Sequence, residues 1–127
     1  RTVQKPDGSF GESLLSYDVP STKGQGPSTP SQTAWGLIGL LAGAEPSDPA
    51  IGKAVSYLVH GQQEDGSWSE PDFTGTGFPG VFYLKYHLYR NSFPVYALAR
   101  YANQARRAEE YVALKLQPGE FRLRSGF

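Results

Sequence analysis

Hydrophobic positions in this chain form a few short runs, and stretches rich in glycine and proline separate them. The most continuous run would cover almost the whole circumference of a helix, because its apolar residues are not confined to one face at a period of 3.6 residues. It contains Ala34, Trp35, Leu37, Ile38, Leu40 and Leu41. We therefore predict a helix that is buried inside a larger layer of helices.

The residues that flank this run mark where the helix begins and ends. Thr29 is suited to the N-cap, with Pro30 at the first helical position. Gln32 is placed to complete a capping box by reaching back to the N-cap backbone, and Gly43 is placed to stop the helix.

Two further helices are predicted. One follows Ser47 and Asp48, either of which is suited to the N-cap, and it is amphipathic and therefore placed on the outside. Its apolar stripe contains Ile51, Val55, Leu58 and Val59. The other is expected from about Ser92, with Pro94 near its start and dense charge after Gln104.

Aromatic residues are concentrated between positions 73 and 101. Phe82, Tyr86 and Tyr89 would share one face of a helix, whereas alternation in the same segment is equally compatible with a half-buried strand. Periodicity alone leaves both open. Because Pro79 and a glycine precede the segment, we favour short extended segments or turns before the third helix.

A short motif, Gln-x-x-x-Gly-x-aromatic, occurs twice. The copies are Gln4, Gly8 and Phe10, and Gln62, Gly66 and Trp68. The offset is 58 residues between these turns and 64 between Pro30 and Pro94, which we take to open the helix that follows each turn. Repeats that contain buried helices are typical of solenoids and α/α barrels, and two copies are too few to close a barrel. We interpret the motif as a structural clasp between helix pairs, with a ligand platform at Trp68 as the alternative.

Composition restricts the functions to consider. The 127 residues suffice for one domain or part of one, and the first residue, Arg1, suggests a piece of a longer protein. Twelve basic and twelve acidic side chains give no basic surface for nucleic acid. Without cysteine the chain has no thiolate metal site, and we expect neither a metal nor a cofactor.

The chemistry of the aromatic segment is restricted as well. It holds no carboxylate between Asp72 and Glu109, so it does not supply the acid and base pair of a glycoside hydrolase. Its glycines are not followed by the Lys-Ser/Thr pair of a phosphate-binding loop. The rings are either ordinary core or a cage for a carbocation, since ring faces attract positive charge.

The run "GTGFPGVFYLKYHLYRNSFPVYALARY" resembles the C-terminal signature of bacterial squalene-hopene cyclases, and "STPSQTAWGLIGLLAG" resembles a helix two segments earlier in that family. The repeated turn resembles the QW motif of triterpene cyclases, from which Phe10 departs. The resemblance covers about residues 4–102. It implies a mainly α fold, with residues 1–102 as the C-terminal portion of a catalytic α/α barrel and 103–127 as a helix end and tail.

The resemblance further implies an enzyme that protonates squalene and cyclises it through carbocations to hopene or hopanol. Phe78 and Phe82 match cation-stabilising positions, and Leu84, Tyr86 and Tyr89 match positions that line the cavity. The family's protonating Asp motif does not occur in this sequence, so we expect it upstream and expect the isolated chain to be inactive. The family also suggests peripheral contact with the cytoplasmic side of a bacterial membrane, and a possible homodimer.

Two alternatives stay open at this point. A prenyltransferase-like barrel has similar turns, but its zinc site needs a cysteine that this chain does not have. A non-catalytic helical repeat or sugar-binding module could use Trp68 and the tyrosines as stacking platforms. The product, and whether the chain folds alone, are not indicated by the sequence.

Overall fold

The computed structural model describes residues 3–115 and is mainly helical. Two short 3-10 helices, Leu14–Tyr17 and Pro20–Thr22, come first. They are followed by α1 (Pro30–Gly43), α2 (Pro49–His60), a hairpin of β1 (Gly75–Phe78) and β2 (Phe82–Leu84), and α3 (Tyr89–Lys115). The predicted fold class is confirmed at the level of a mainly α fold.

Both α1 and α2 begin at caps that the sequence marks. The Thr29 hydroxyl accepts a hydrogen bond from the backbone of Gln32 at 3.2 Å, and Asp48 accepts from the backbone of Ala50 at 2.9 Å. The predicted role of the Gln32 side chain is wrong. Its oxygen accepts from the backbone N–H of Glu12 at 2.6 Å, and its nitrogen donates to the Glu12 carbonyl at 3.2 Å, so it ties α1 to an earlier segment instead of closing a capping box.

The core lies where α1 packs against both α2 and α3. The fully buried apolar side chains of this cluster come from all three helices: Ala34, Leu37, Ile51, Ala54, Leu58 and Ala97. The circumference of α1 is not wholly covered, since Trp35 is 37% exposed and Gly39 has open space beside it. The prediction of complete burial therefore holds for one side of α1 within the described residues.

The third helix begins earlier than predicted, at Tyr89, and Pro94 lies inside it. The Leu88 carbonyl accepts hydrogen bonds from the backbones of Asn91 and Ser92, which forms the first turn before the proline. Pro94 is fully buried, and its missing N–H removes one helical hydrogen bond without ending the helix. The helices of the two copies therefore begin at nearly the spacing of the two turns, not at the spacing of the prolines.

The division predicted after residue 102 falls inside α3, which continues to Lys115. Residues 116–127, which form about half of the predicted second part, lie outside the described residues. The domain division stays a prediction.

The aromatic segment contains a two-stranded antiparallel hairpin, as the extended interpretation predicts. Phe78 pairs with Phe82, and Gly75 pairs with Leu84, with an irregularity between them. The backbone of Val81 donates to the Phe78 carbonyl at 3.0 Å, and Gly80 has a φ of 69°, as in a turn with proline and then glycine at its centre. The helical interpretation of this segment is wrong, because Phe82 lies in β2.

Candidate functional site

The two copies of the repeated motif fold into the same turn, which we call the first turn (4–10) and the second turn (62–68). In each, the glutamine side chain donates to the glycine carbonyl, at 3.0 Å from Gln4 to Gly8 and 2.9 Å from Gln62 to Gly66. Both glycines have positive φ, 89° and 83°, a conformation that residues with a Cβ rarely adopt. The glycine of the motif is thus required by the backbone.

An aspartate and a serine complete each turn in the same way. Asp7 accepts from the backbone and hydroxyl of Ser9 at 3.0 and 2.7 Å, and Asp65 accepts from those of Ser67 at the same distances. These bonds, the hydroxyl first, lower the pKa of both carboxyls below their usual value. The full motif is therefore Gln-x-x-Asp-Gly-Ser-aromatic.

The aromatic residue of each turn connects it to the helix that follows. The backbone N–H of Phe10 donates to the Thr33 hydroxyl at 3.0 Å, and that of Trp68 donates to the Asn91 side chain at 3.1 Å. Both bonds span 23 residues. Trp68 is 1% exposed, and its indole N–H donates to the Leu58 carbonyl at 2.8 Å, so it joins the end of α2 to the start of α3.

The surroundings of the two turns differ. The first turn lies on α2, where Gln4 donates to the Ala50 carbonyl at 2.9 Å and a Cβ on Gly8 would lie 2.3 Å from the Lys53 carbonyl oxygen. The glutamine and glycine of the second turn, Gln62 and Gly66, are exposed. The second turn has the same shape but no helix packed on its glycine within residues 3–115.

Phe78 and Phe82 form one pair of rings at the hairpin. Their centroids are 5.6 Å apart in an edge contact, and they are 63% and 44% exposed. The Phe82 ring lies directly over Gly77, where a Cβ would come within 1.9 Å of the ring edge. Gly77 therefore provides the space that the Phe82 ring occupies.

A second group of rings follows the hairpin. Tyr86 stacks on Tyr89 with centroids 4.8 Å apart, and Tyr89 contacts Phe93 edge to face at 4.9 Å. Trp35 of α1 contacts Phe93 at 5.4 Å and Tyr89 at 6.2 Å, both edge to face. The Thr74 hydroxyl accepts from the backbone of Tyr86 at 3.0 Å, which holds this tyrosine against the base of the hairpin.

The sequence predicts five site residues, and the structure brings four of them together in two pairs. Phe78 and Phe82 are in mutual contact, as are Tyr86 and Tyr89. Leu84 lies at the base of the hairpin and is partly buried. Their roles in a reaction stay predictions.

Sequence reasoning missed two members of the second group, Trp35 and Phe93. Phe93 stands four residues after Tyr89, a helical spacing that indicates contact once the helix is known to begin at Tyr89. Trp35 was assigned to the core of α1, and only the packing of α1 against α3 places it on these rings.

The polar surroundings of the rings are sparse. Lys85 donates to the Pro71 carbonyl at 2.8 Å, so its ammonium group is held by the backbone. The Arg90 Nε is buried with no hydrogen-bond partner in the described chain, an arrangement that is unfavourable for a charged donor. Over residues 3–115 no group of three or more His, Cys, Asp or Glu side chains is placed to hold a metal ion. None of the helices in this part of the chain combines the length and the hydrophobicity of a membrane span.

Comparison with known proteins places these features in a family. A model of the squalene-hopene cyclase C-terminal domain matches residues 1–103. The chain is 54% identical over 91 residues to a squalene-hopene cyclase from Alicyclobacillus acidocaldarius, which covers 72% of this chain and 14% of that protein. It is 50% identical over 103 residues to a probable squalene-hopene cyclase from Sinorhizobium fredii, covering 80% of this chain and 16% of the relative.

A relative with a different name is equally similar. The chain is 51% identical over 100 residues to a dammaradiene synthase from Dryopteris crassirhizoma, covering 75% of this chain and 15% of that protein. The chain thus spans about one sixth of the length of the relatives that it matches. On the match over residues 1–103 and these identities, the chain belongs to the squalene-hopene cyclase family and corresponds to its C-terminal domain.

Proposed function

We propose that this chain is part of a longer triterpene cyclase, in which it forms an aromatic wall of the cavity that binds squalene. The observation that carries the proposal is the exposed hairpin pair, Phe78 and Phe82, in a member of this family. Large rings that are half exposed in this chain are unfavourable in water, and a cavity formed with the rest of the protein would cover them.

Phe78 and Phe82 stabilise carbocations in this proposal. A ring face attracts a cation by roughly 0.5 to 2 kcal/mol, and more where water is excluded. The hairpin and the start of α3 themselves carry no carboxylate, and this suits the role, because a carboxylate beside the cation could take a proton from it and end the cyclisation early. Tyr86, Tyr89 and Leu84 line the same cavity and hold the substrate chain in a folded conformation.

The first proton comes from another part of the longer protein, since the Asp-rich motif that supplies it in this family does not occur here. We expect the 127-residue chain alone to form no triterpene. The test is incubation with squalene in detergent, followed by gas chromatography against a sample without protein. Any polycyclic product above that background would contradict this expectation.

The surroundings of the longer enzyme are also part of the proposal. Squalene is a hydrocarbon that partitions into lipid, so the enzyme would take it up through peripheral contact with a membrane. The resemblance to bacterial cyclases suggests the cytoplasmic side of a bacterial membrane. A homodimer is compatible with this arrangement. The product is not restricted to hopene, because relatives of equal identity are named for different products.

The proposed role of Phe82 is tested in the longer enzyme. Phe82→Ala removes the ring, which withdraws about 2 kcal/mol from one cation and slows the step through it about thirtyfold. Proton loss then competes, so incompletely cyclised products should accumulate. Phe82→Tyr retains the ring face and serves as the matched control, with products close to the wild type.

If Phe82 contributes only to the stability of the fold, Phe82→Ala should give another outcome: lower thermal stability and less total product at an unchanged product ratio. Products are measured by gas chromatography, beside a thermal melt of each variant. Wild-type product ratios from a folded Phe82→Ala enzyme would remove Phe82 from the cation-binding wall.

A further inference from the structure

Glu70 links the second copy of the repeat to the helix of the first. Its carboxylate accepts hydrogen bonds from the backbone N–H and the hydroxyl of Ser31, at 2.9 and 2.7 Å, and Glu70 is only 5% exposed. The first turn of α1 has no acidic residue of its own. A negative charge at a helix N-terminus satisfies free N–H groups and interacts favourably with the helix dipole, so Glu70 caps α1 from the neighbouring copy.

Glu12 occupies the corresponding place in the first copy. Glu70 stands two residues after Trp68, and Glu12 stands two residues after Phe10. Glu12 is exposed, and its carboxylate accepts from the backbone of Gly24 at 2.8 Å and from the Ser16 hydroxyl. A carboxylate has about four acceptor positions, so two such bonds leave it able to accept others.

We propose that Glu12 caps the N-terminus of a helix in the repeat that precedes this chain, as Glu70 caps α1. The inference rests on the proposed longer cyclase, in which a preceding repeat would stand to the first copy as the first copy stands to the second. The partner is the first turn of a helix equivalent to α1, with free backbone N–H groups and a hydroxyl in the position of Ser31. The surface around Glu12 is then an interface between successive repeats.

The backbone around Glu12 is suited to this role. Gln32 holds both the N–H and the carbonyl of Glu12. The position of Glu12 on the first copy is therefore fixed by α1, independently of its carboxylate. Turning the carboxylate toward a preceding helix leaves these two bonds in place and gives up at most its contacts with Gly24 and Ser16.

Hydrogen exchange in the longer protein tests the proposal. Glu12→Gln keeps the size of the side chain and removes its charge, and the same change at Glu70 is the positive comparison. Glu64→Gln is the matched control, because Glu64 is exposed in the second turn. Deuterium uptake is followed in peptides from α1, from the segment 12–26 and from the helices that precede this chain.

Loss of the charge should speed exchange about two- to fivefold at the first-turn amides of the helix concerned. We expect this at residues 31–33 for Glu70→Gln and in one helix before residue 1 for Glu12→Gln, with no change at either place for Glu64→Gln. Faster exchange confined to residues 12–26 would assign Glu12 to its contact with Gly24 alone and overturn the proposal. Unchanged exchange in every preceding helix would overturn it too.

If Glu12→Gln lowers the yield of folded protein, Glu12→Asp, which shortens the side chain and retains the charge, is measured at the same sites under the same criteria. Cyclisation of squalene is assayed separately on each protein. If the variants show the expected exchange pattern but the wild-type protein forms no triterpene, the proposed function is contradicted and the role of Glu12 as a cap is supported.

Discussion

The two segments that connect a turn to its helix differ in structure, although the turns before them have the same hydrogen bonds. The first link (11–29) contains two 3-10 helices, and the second link (69–88) contains the aromatic hairpin. Both begin beside an equivalent turn, and a hydrogen bond spanning 23 residues closes each of them. The turns and the helices that they are bonded to occur twice, and we call them the scaffold. The exposed rings of the hairpin and of the start of α3 occur once, and we call them the ring surface. All the residues of the proposed chemistry lie on the ring surface or in the second link.

The largest expected effect concerns the scaffold. Trp68→Ala should lower the free energy of unfolding of the longer enzyme by roughly 3 to 5 kcal/mol, because a fully buried ring and a hydrogen bond to the Leu58 carbonyl are lost. Phe10→Ala should cost less, since Phe10 is only partly buried. Thermal and denaturant unfolding measure both, and the product ratio should not change. New products from Trp68→Ala at unchanged stability would place Trp68 in the active site. The scaffold and the ring surface would then not have separate roles.

The next effect concerns the hairpin. Gly77→Ala introduces a Cβ into the space of the Phe82 ring, so the ring must move. The cost should be about 1 kcal/mol, the low end for overpacking, because the ring is 44% exposed in the described chain. The product mixture should then shift in the direction of Phe82→Ala. Gly75→Ala is the matched control in the same strand, because a Cβ at Gly75 meets nothing within 4 Å. Equal product profiles from the two variants would show that the position of the Phe82 ring does not affect which products form.

The helices could be predicted from the sequence more fully than the ring surface. The starts of α1 and α2 are set locally, by a capping side chain followed by proline, and a local signal is visible in one chain. The start of α3 has no such signal, and Pro94, which the sequence suggests as the first turn, lies within the helix. The contact of Trp35 with Phe93 depends on how α1 packs against α3.

The structure of the hairpin could likewise be predicted only in part. The proline, the glycine and the alternating residues indicate an extended segment, but the pairing of Phe78 with Phe82 follows from an irregular register that the sequence does not mark. The bonds from Ser31 to Glu70 cross 39 residues and connect separate copies, so neither residue carries a local signal for the other.

The smallest expected effect concerns the stability of the first turn at low pH. Hydrogen bonds from Ser9, that of the hydroxyl first, hold the pKa of Asp7 below its usual value. The stability that they contribute is therefore present above about pH 4 and is lost as the pH falls through the lower pKa of the folded state. Asp7→Asn should flatten this loss in thermal melts between about pH 2.5 and 6, by less than about 1 kcal/mol because the site is partly solvated. Asp65→Asn should have less effect, because the second turn is not packed on a helix in the described chain. A larger effect at Asp65 would indicate that the rest of the protein covers the second turn.

The equal span of the two closing hydrogen bonds has a consequence for engineering. Each link is anchored at a turn and at a helix 23 residues later, so the hairpin within the second link can change in sequence while the two closing bonds keep the ends of the link in place. Changes at Glu70, which lies in the same link, would also reach α1 through Ser31. If the proposed function holds, exchange of the hairpin alone should therefore alter the products of the longer enzyme without loss of its helical scaffold.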